Sequence, residues 1–220
     1  MINNLAGQVD EVANASHLII QTGDLTIGSA KISGDPTFAS SGNILLTGAI
    51  TASEDLSIIA GGNITIPSSA NVSISDNGNS VIMIAGLGSS NIAITGSSST
   101  SLAGTLANGS GATSVIATFG NSAGGGIIDL STNNTLTSNS TVIDTSASPT
   151  NGNGGNVELI ALAGTSGNGS INLGNYAINA SANGTGVNGS VNIYTDSAAT
   201  SAISIGAMNT ASGSGGGGSS

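Results

Sequence analysis

Carboxylates are the only groups in this chain numerous enough to do acid–base or metal chemistry. Its 220 residues carry 11 Asp and Glu against one cation, Lys31, and one histidine, His17. Asp10/Glu11 and Glu54/Asp55 are adjacent pairs; Asp24, Asp35, Asp76, Asp129, Asp144, Glu158 and Asp196 stand apart. Two carboxyls held ~5–9.5 Å apart across a cleft can hydrolyse a glycoside. Enzymes of that kind usually add aromatics and cations to grip sugar, and here Tyr176, Tyr194, Phe38 and Phe119 are the whole aromatic set. The pattern fits solvated corner acids better than a catalytic pair. No catalytic residue is assigned.

The other motifs reduce to turns. Calcium needs about six to eight oxygen ligands. Asp76-Asn77-Gly78-Asn79 has the flavour of a calcium turn, but Asn-Gly is also the commonest turn dipeptide. The spaced Asp repeats of a calcium-binding β-roll are missing, so no metal or cofactor is assigned. His17 has no partners at ligand or triad spacing. Gly124-Gly125-Gly126 precedes a strand pattern and lacks the helix start and Lys of a phosphate cradle. Gly120–Gly124 spells G-x-S-x-G without the strand-to-helix elbow that gives the motif its chemistry. With no cysteine, disulfides and thiolate sites are excluded. The sequons at Asn63, Asn71 and Asn133 arise from composition.

Charge removes further classes. Net charge is −10, so a nucleic-acid backbone or anionic lipid finds no basic cluster to bind. No run of ~18 apolar residues is present to span a bilayer. The opening MINNLAGQVDEVANASH lacks the basic and apolar regions of a secretory signal. The expectation is that a leader has been removed or that the chain is a segment of a longer polypeptide.

The elements that would hold these residues are short strands. From Asn43 to Ile74, alternating pairs (Leu56-x-Ile58, Ile64-x-Ile66, Val72-x-Ile74) are separated by Gly-Gly-Asn and Pro-Ser-Ser-Ala-Asn. Alternation with period two marks strands, and the breaks come too often for helices. Leu18/Ile20, Leu25/Ile27 and Ile32 form a similar triplet, whereas Asn43–Ser53 has no clear register. Val81, Val115, Val157 and Val191 open four similar blocks at intervals of roughly 34 to 42 residues. Each continues with a second pair (Ile92/Ile94, Ile128/Leu130, Ile171/Leu173, Ile203/Ile205) and a weaker third position (Leu102, Leu136, Ile178, Met208).

Three short strands per block describe one coil of a solenoid. The fold expected is all-β: a parallel β-helix of about six or seven irregular coils over residues 17–212. Residues 1–16 would be a cap or connecting segment, and 213–220 a Gly/Ser-rich flexible tail or linker. Inward Val, Ile and Leu would stack in columns, with Ser, Thr and Asn facing outward. Asn63, Asn71, Asn91 and Asn156 would ladder along the corners. Ala103–Thr113 and Thr137–Gly154 would bulge as lateral loops. Thr22/Thr26, Thr47/Thr51 and Thr65 keep no strict coil-to-coil register, which argues against an ice-matching lattice.

Ser40–Ile66, SSGNILLTGAITASEDLSIIAGGNITI, resembles the repeats of filamentous-haemagglutinin-type adhesins in its Gly-Asn corners, alternating aliphatics and Ala-Gly-Gly-Asn corner. The resemblance covers about a third of the chain, and no Asn-Pro dipeptide of that family's secretion domain occurs. It implies a secreted, surface-bound fibre or adhesin. Three expectations follow. One is a non-catalytic extracellular unit of a fibre or filament, associating end to end with copies or adjoining repeats through Leu18–Ile32 and Val191–Met208. Another is an adhesin segment binding glycan or host protein through the lateral loops. The weakest is a polysaccharide-active enzyme using the scattered acids.

Overall fold

The computed structural model describes residues 4–5, 18–21, 23–33, 37–87, 100–103, 105–108, 125–164 and 168–211. Strands of two to five residues follow one another with tight corners between them, and no α-helix occurs among the described residues. A short β1 (Asn4–Leu5) comes first. The first coil is β2 (Leu18–Gln21), β3 (Leu25–Ile27) and β4 (Ala30–Ile32). The second is β5 (Thr37–Ser40), β6 (Ile44–Leu46) and β7 (Ile50–Ala52). The third is β8 (Leu56–Ala60), β9 (Ile64–Thr65) and β10 (Ile74–Asp76).

The fourth coil opens with β11 (Val81–Ala85) and leaves the stack for a hairpin, β12 (Thr100–Ala103) and β13 (Thr105–Asn108). It returns for β14 (Ile127–Asp129) and β15 (Thr141–Asp144). The fifth is β16 (Val157–Ala161), β17 (Ser170–Asn172) and β18 (Ala177–Asn179). The sixth is β19 (Val191–Thr195), β20 (Ile203–Ser204) and β21 (Met208–Asn209).

Stacking sorts these strands into three parallel sheets: β2-β5-β8-β11-β16-β19, β1-β3-β6-β9-β14-β17-β20 and β4-β7-β10-β15-β18-β21. The chain is a parallel β-solenoid with three strands per coil. The columns stay aligned from coil to coil, with one register shift between Thr141 and Ile143 where β15 meets β18. In the second sheet Leu25, Ile44, Ile64, Ile128, Ile171 and Ile203 are successive partners. In the third, Ala30, Ile50, Ile74, Ile143, Ile178 and Met208 follow the same rule. Pleated, β-branched side chains suit this packing. Each fully buried Ile or Leu contributes about 1.5–3 kcal/mol. Corners close through left-handed backbone at Asn133, Asn139 and Asn151, a conformation Asn tolerates.

Asn43–Ser53, which had no clear register, forms β6 and β7 of a regular coil. The larger correction concerns the block repeat. Val81 pairs directly with Val157, and Val157 with Val191, so no rung stands between the first two. Val115, Ile92 and Ile94 lie outside the described residues. Leu102 pairs with Leu106 in the antiparallel hairpin rather than forming a third strand. The Val81 and Val157 rungs are adjacent in the stack, and Leu102 lies in a hairpin that belongs to none of the three parallel sheets, although its aliphatic spacing resembles that of a rung. Thr137–Gly154 is likewise no lateral loop, since it contains β15, the third strand of its coil. Leu136 packs against the core beside that strand.

The excursion is pinched at its base. Gly86 has φ +87°, and a Cβ on Gly126 would lie 2.1 Å from the Gly86 nitrogen. Backbone touches backbone where the chain leaves and re-enters, and only glycine fits. Gly126→Ala should therefore lower the unfolding free energy by about 2–3 kcal/mol, read as a shifted midpoint in urea.

Candidate functional site

The acids are placed as backbone acceptors. Asp24 Oδ1 accepts from both N–H and Nδ2 of Asn43, at 2.8 and 3.0 Å. Asn43 Oδ1 then accepts from Asn63 N, and Asn63 Oδ1 from Ile127 N, each at 2.9 Å. This chain of side-chain acceptors climbs one corner coil by coil. A second climbs another corner: Asp55 Oδ1 accepts from Ser80 N at 2.8 Å, and Asn156 Oδ1 from Ser190 N at 2.9 Å. Asp129 takes the N–H groups of Ser131 and Thr132, and Asp144 that of Ser146. Asp196 accepts from Ala163 N. A carboxylate or amide oxygen holding amide donors is the usual way to satisfy a corner that no strand can reach.

Asp76 differs from the rest. It occupies an inward column position, opposite Ala52, and is buried; its Oδ1 accepts from Asn79 Nδ2 at 3.2 Å. The Asp76-Asn77-Gly78-Asn79 stretch is a turn with φ +78° at Gly78, and Asn77 Oδ1 accepts from Ser148 N. Among the described residues no three His, Cys, Asp or Glu gather closely enough to hold a metal ion. Asp10, Glu11, His17, Asp35, Asn91, Phe119 and the G-x-S-x-G stretch lie outside them. Phe38 is buried in the core, and Tyr176 is buried with its hydroxyl donating to the Asn134 and Leu136 carbonyls, both at 3.1 Å. Neither is free to stack on a sugar. Asn63 and Asn156 do bridge coils, but by accepting backbone N–H groups of Ile127 and Ser190 rather than by stacking amide on amide as expected; Asn71 is exposed.

Two surfaces carry more information than the acids. One is the outer face of the first sheet. Ala39, Ile59, Ile84, Ile160 and Tyr194 are successive partners there and form an apolar column pointing away from the coil interior. Ala39, Ile59, Ile82, Ile84 and Leu87 are a buried cluster separate from the main core. Outward positions were expected to be polar. The correction has a visible cause: Leu56–Ala60 (LSIIA) and Val81–Ala85 (VIMIA) alternate far less than the pairs within them suggest, the pattern of strands buried on both faces. Tyr194, at the C-terminal end of the column, is 54% exposed.

The other is the last coil. Ile171 and Ile178 are almost wholly buried, yet their partners one coil on, Ile203 and Met208, are 44% and 40% exposed. β19, β20 and β21 each end a sheet among the described residues. Their inner neighbours accept from the coil before: Ile171 N reaches Ala202 O and Ile178 N reaches Ala207 O. Alternation along a strand then turns the N–H and C=O groups of Ile203 and Met208 the opposite way, toward the open edge. This coil is an unpartnered apolar end with three strand edges, and sequence reasoning had assigned it the same status as the first coil. The first coil differs in its side chains: Leu25, Ile27, Ala30 and Ile32 are all buried, and β1 lies on β3 with Asn4 opposite Thr26, while β2 and β4 end their sheets as β19 and β21 do at the other end.

No helix among the described residues is long and apolar enough to cross a membrane. No family model, curated protein or solved structure matches the chain.

Among the described residues Glu158 is the one acid on the apolar outer face, paired with Ile82 and Asn192. Desolvation there raises its pKa above the ordinary 4.5. A raised carboxylate pKa favours the protonated fold, so this group costs stability as pH rises from about 4.5 upward. Glu158→Gln should melt higher than the native chain at about pH 7, with the difference vanishing near pH 4. Thermal scans at the two pH values test this, and a variant less stable at both would contradict it.

Proposed function

We propose that this chain is a non-catalytic extracellular structural unit, a rigid β-solenoid that builds a surface fibre or filament by association at a terminal coil. The observation that supports it is the open last coil, whose apolar columns continue a packed core without being covered. Strand addition to an exposed edge gives main-chain hydrogen bonds, and the aligned columns beneath give apolar contact. The acids favour the same reading, since five of the eight described ones, Asp24, Asp55, Asp129, Asp144 and Asp196, hold backbone N–H groups. Composition agrees: Ser, Thr, Asn and Gly solubilise the outer faces of the other two sheets with few charges.

Sedimentation of the purified chain across a concentration series tests this. Association is expected in the micromolar range, and the Ile203→Lys/Met208→Lys double variant should stay monomeric with an unchanged β-sheet circular dichroism spectrum. A native chain that remains monomeric at ~100 μM would remove the proposal, since a specific interface reaches micromolar affinity with about 8 kcal/mol.

A second reading, an adhesin segment that grips glycan or host protein along its flank, rests on Tyr194, the one exposed aromatic among the described residues. Tyrosine offers an apolar ring with a polar tip, which suits a sugar face. If that reading holds, Tyr194→Ala should weaken glycan-array retention about tenfold; equal retention by both proteins would dismiss it.

A further inference from the structure

We propose that Asn168 is a site of spontaneous deamidation, where one corner of the rod gains a carboxylate as the protein ages. The reaction is intramolecular. The Gly169 backbone nitrogen gives up its proton and attacks Asn168 Cγ; the Cγ–Nδ2 bond breaks and ammonia leaves with a proton. Water then opens the cyclic imide at one of its two C–N bonds. The product is aspartate, or an isoaspartate in which the main chain runs through Cγ. Asn is counted among the thermolabile residues.

Glycine on the C-terminal side favours the attack, because it has no Cβ to crowd the nitrogen and its backbone turns freely. Six Asn-Gly pairs have both residues described, beginning at Asn77, Asn151, Asn153, Asn168, Asn183 and Asn188. Sequence alone makes them equivalent, and the fold does not. Attack requires the carboxamide to swing over the following nitrogen. A hydrogen bond to either group must first be broken, which slows the reaction.

Five of the six are held in this way. Asn77 Oδ1 accepts from Ser148 N at 2.7 Å. Asn151 Oδ1 accepts from Thr185 N and Asn153 Oδ1 from Val187 N, each at 2.9 Å. The nitrogens that would attack them, Gly152 N and Gly154 N, donate to Pro149 O and Val187 O, also at 2.9 Å. Asn183 Nδ2 donates to Ser148 O at 3.0 Å. Asn188 is buried; its Oδ1 accepts from Ala182 N at 2.7 Å, and Gly189 N donates to Ala180 O at 2.8 Å.

Asn168 is exposed, and among the described residues neither its carboxamide nor the Gly169 N–H has a hydrogen-bond partner. The bonds that frame the corner are long: Asn168 N to Ala163 O, Ser170 N to Gly126 O and Thr195 Oγ1 to Gly169 O are all 3.2 Å. That is the outer end of the hydrogen-bond range. Packing also fixes the identity of the attacking residue, since a Cβ on Gly169 would lie 2.8 Å from Ala161 O. The product meets an acid already in place. Ala163, whose carbonyl takes the Asn168 N–H, gives its own N–H to Asp196. A carboxylate at position 168 therefore adds like-charge repulsion to that corner.

The test sets the folded chain against the unfolded one. Purified protein is held in warm, mildly alkaline buffer with and without urea, and circular dichroism confirms the folded and unfolded states. Samples taken over time are digested, and tandem mass spectrometry gives the deamidated fraction at each of the six pairs. In urea all six should react at similar rates. In the folded chain Asn168 should lead, its deamidated fraction several-fold above that of each held pair, with isoaspartate as the main product. Another of the six leading in the folded chain, or Asn168 reacting no faster than the held pairs, would overturn the inference. An equal lead for Asn168 in urea would overturn it as well, because local sequence rather than the fold would then set the rate.

Discussion

Strands of two to five residues cannot satisfy their own hydrogen bonds, and in this molecule almost every such bond crosses from one coil to the next. That single demand organises the rest. It fixes parallel register, because a strand one coil on runs in the same direction. It aligns like residues in columns, because a slip of one position would turn Ile50, Ile74 and Ile143 outward together. It also places the corner acceptors: Asp24, Asn43 and Asn63 are needed where the chain turns away and a backbone N–H would otherwise be stranded.

The same demand creates a problem at the ends. A coil in the middle has neighbours on both sides; a terminal one has a neighbour on one. At the N-terminal side β1 adds a rung to β3 and the first-coil aliphatics are buried. At the C-terminal side the columns run out into solvent, and exposure jumps from nearly nothing to about two-fifths between Ile178 and Met208. Charge is thin at that end as well. The first and last described coils thus differ in how far their column side chains are buried, although both present sheet-edge strands.

The first sheet departs from the other two. Its strands bury both faces over the middle coils, so the solenoid carries a second apolar cluster outside its core. Glu158 sits at the margin of that cluster and registers it electrostatically through desolvation. The pinched neck at Gly86 and Gly126 lets the chain depart from this sheet and return without breaking the column, since Val81 still meets Val157. An excursion of this kind is tolerated because loop-closure entropy grows only slowly with length.

Much of this was legible in the residues alone. Alternating pairs such as Ile64-x-Ile66 and Ile171-x-Leu173, cut by Asn and Gly, state the strand, the corner and the inward face, since period and turn chemistry are local. Solenoid class and three strands per coil follow from them; that Asn63 and Asn156 sit at corners does too, but that they accept backbone N–H groups of the next coil rather than ladder amide on amide does not. Register across the excursion does not, because Val115 and Leu102 carry the same local pattern as true rungs; only the pairing of Val81 with Val157 decides which rungs are neighbours. The burial of Ile59 and Ile84 was written in the unbroken runs LSIIA and VIMIA, but what a strand's second face meets is a long-range fact. The difference between the two ends is longer-range still. Leu25 and Ile203 look alike in sequence, and their exposure depends on whether another part of the folded chain lies over them. The sequence determined the rung; tertiary structure alone decided which rungs are stacked and which column residues are covered.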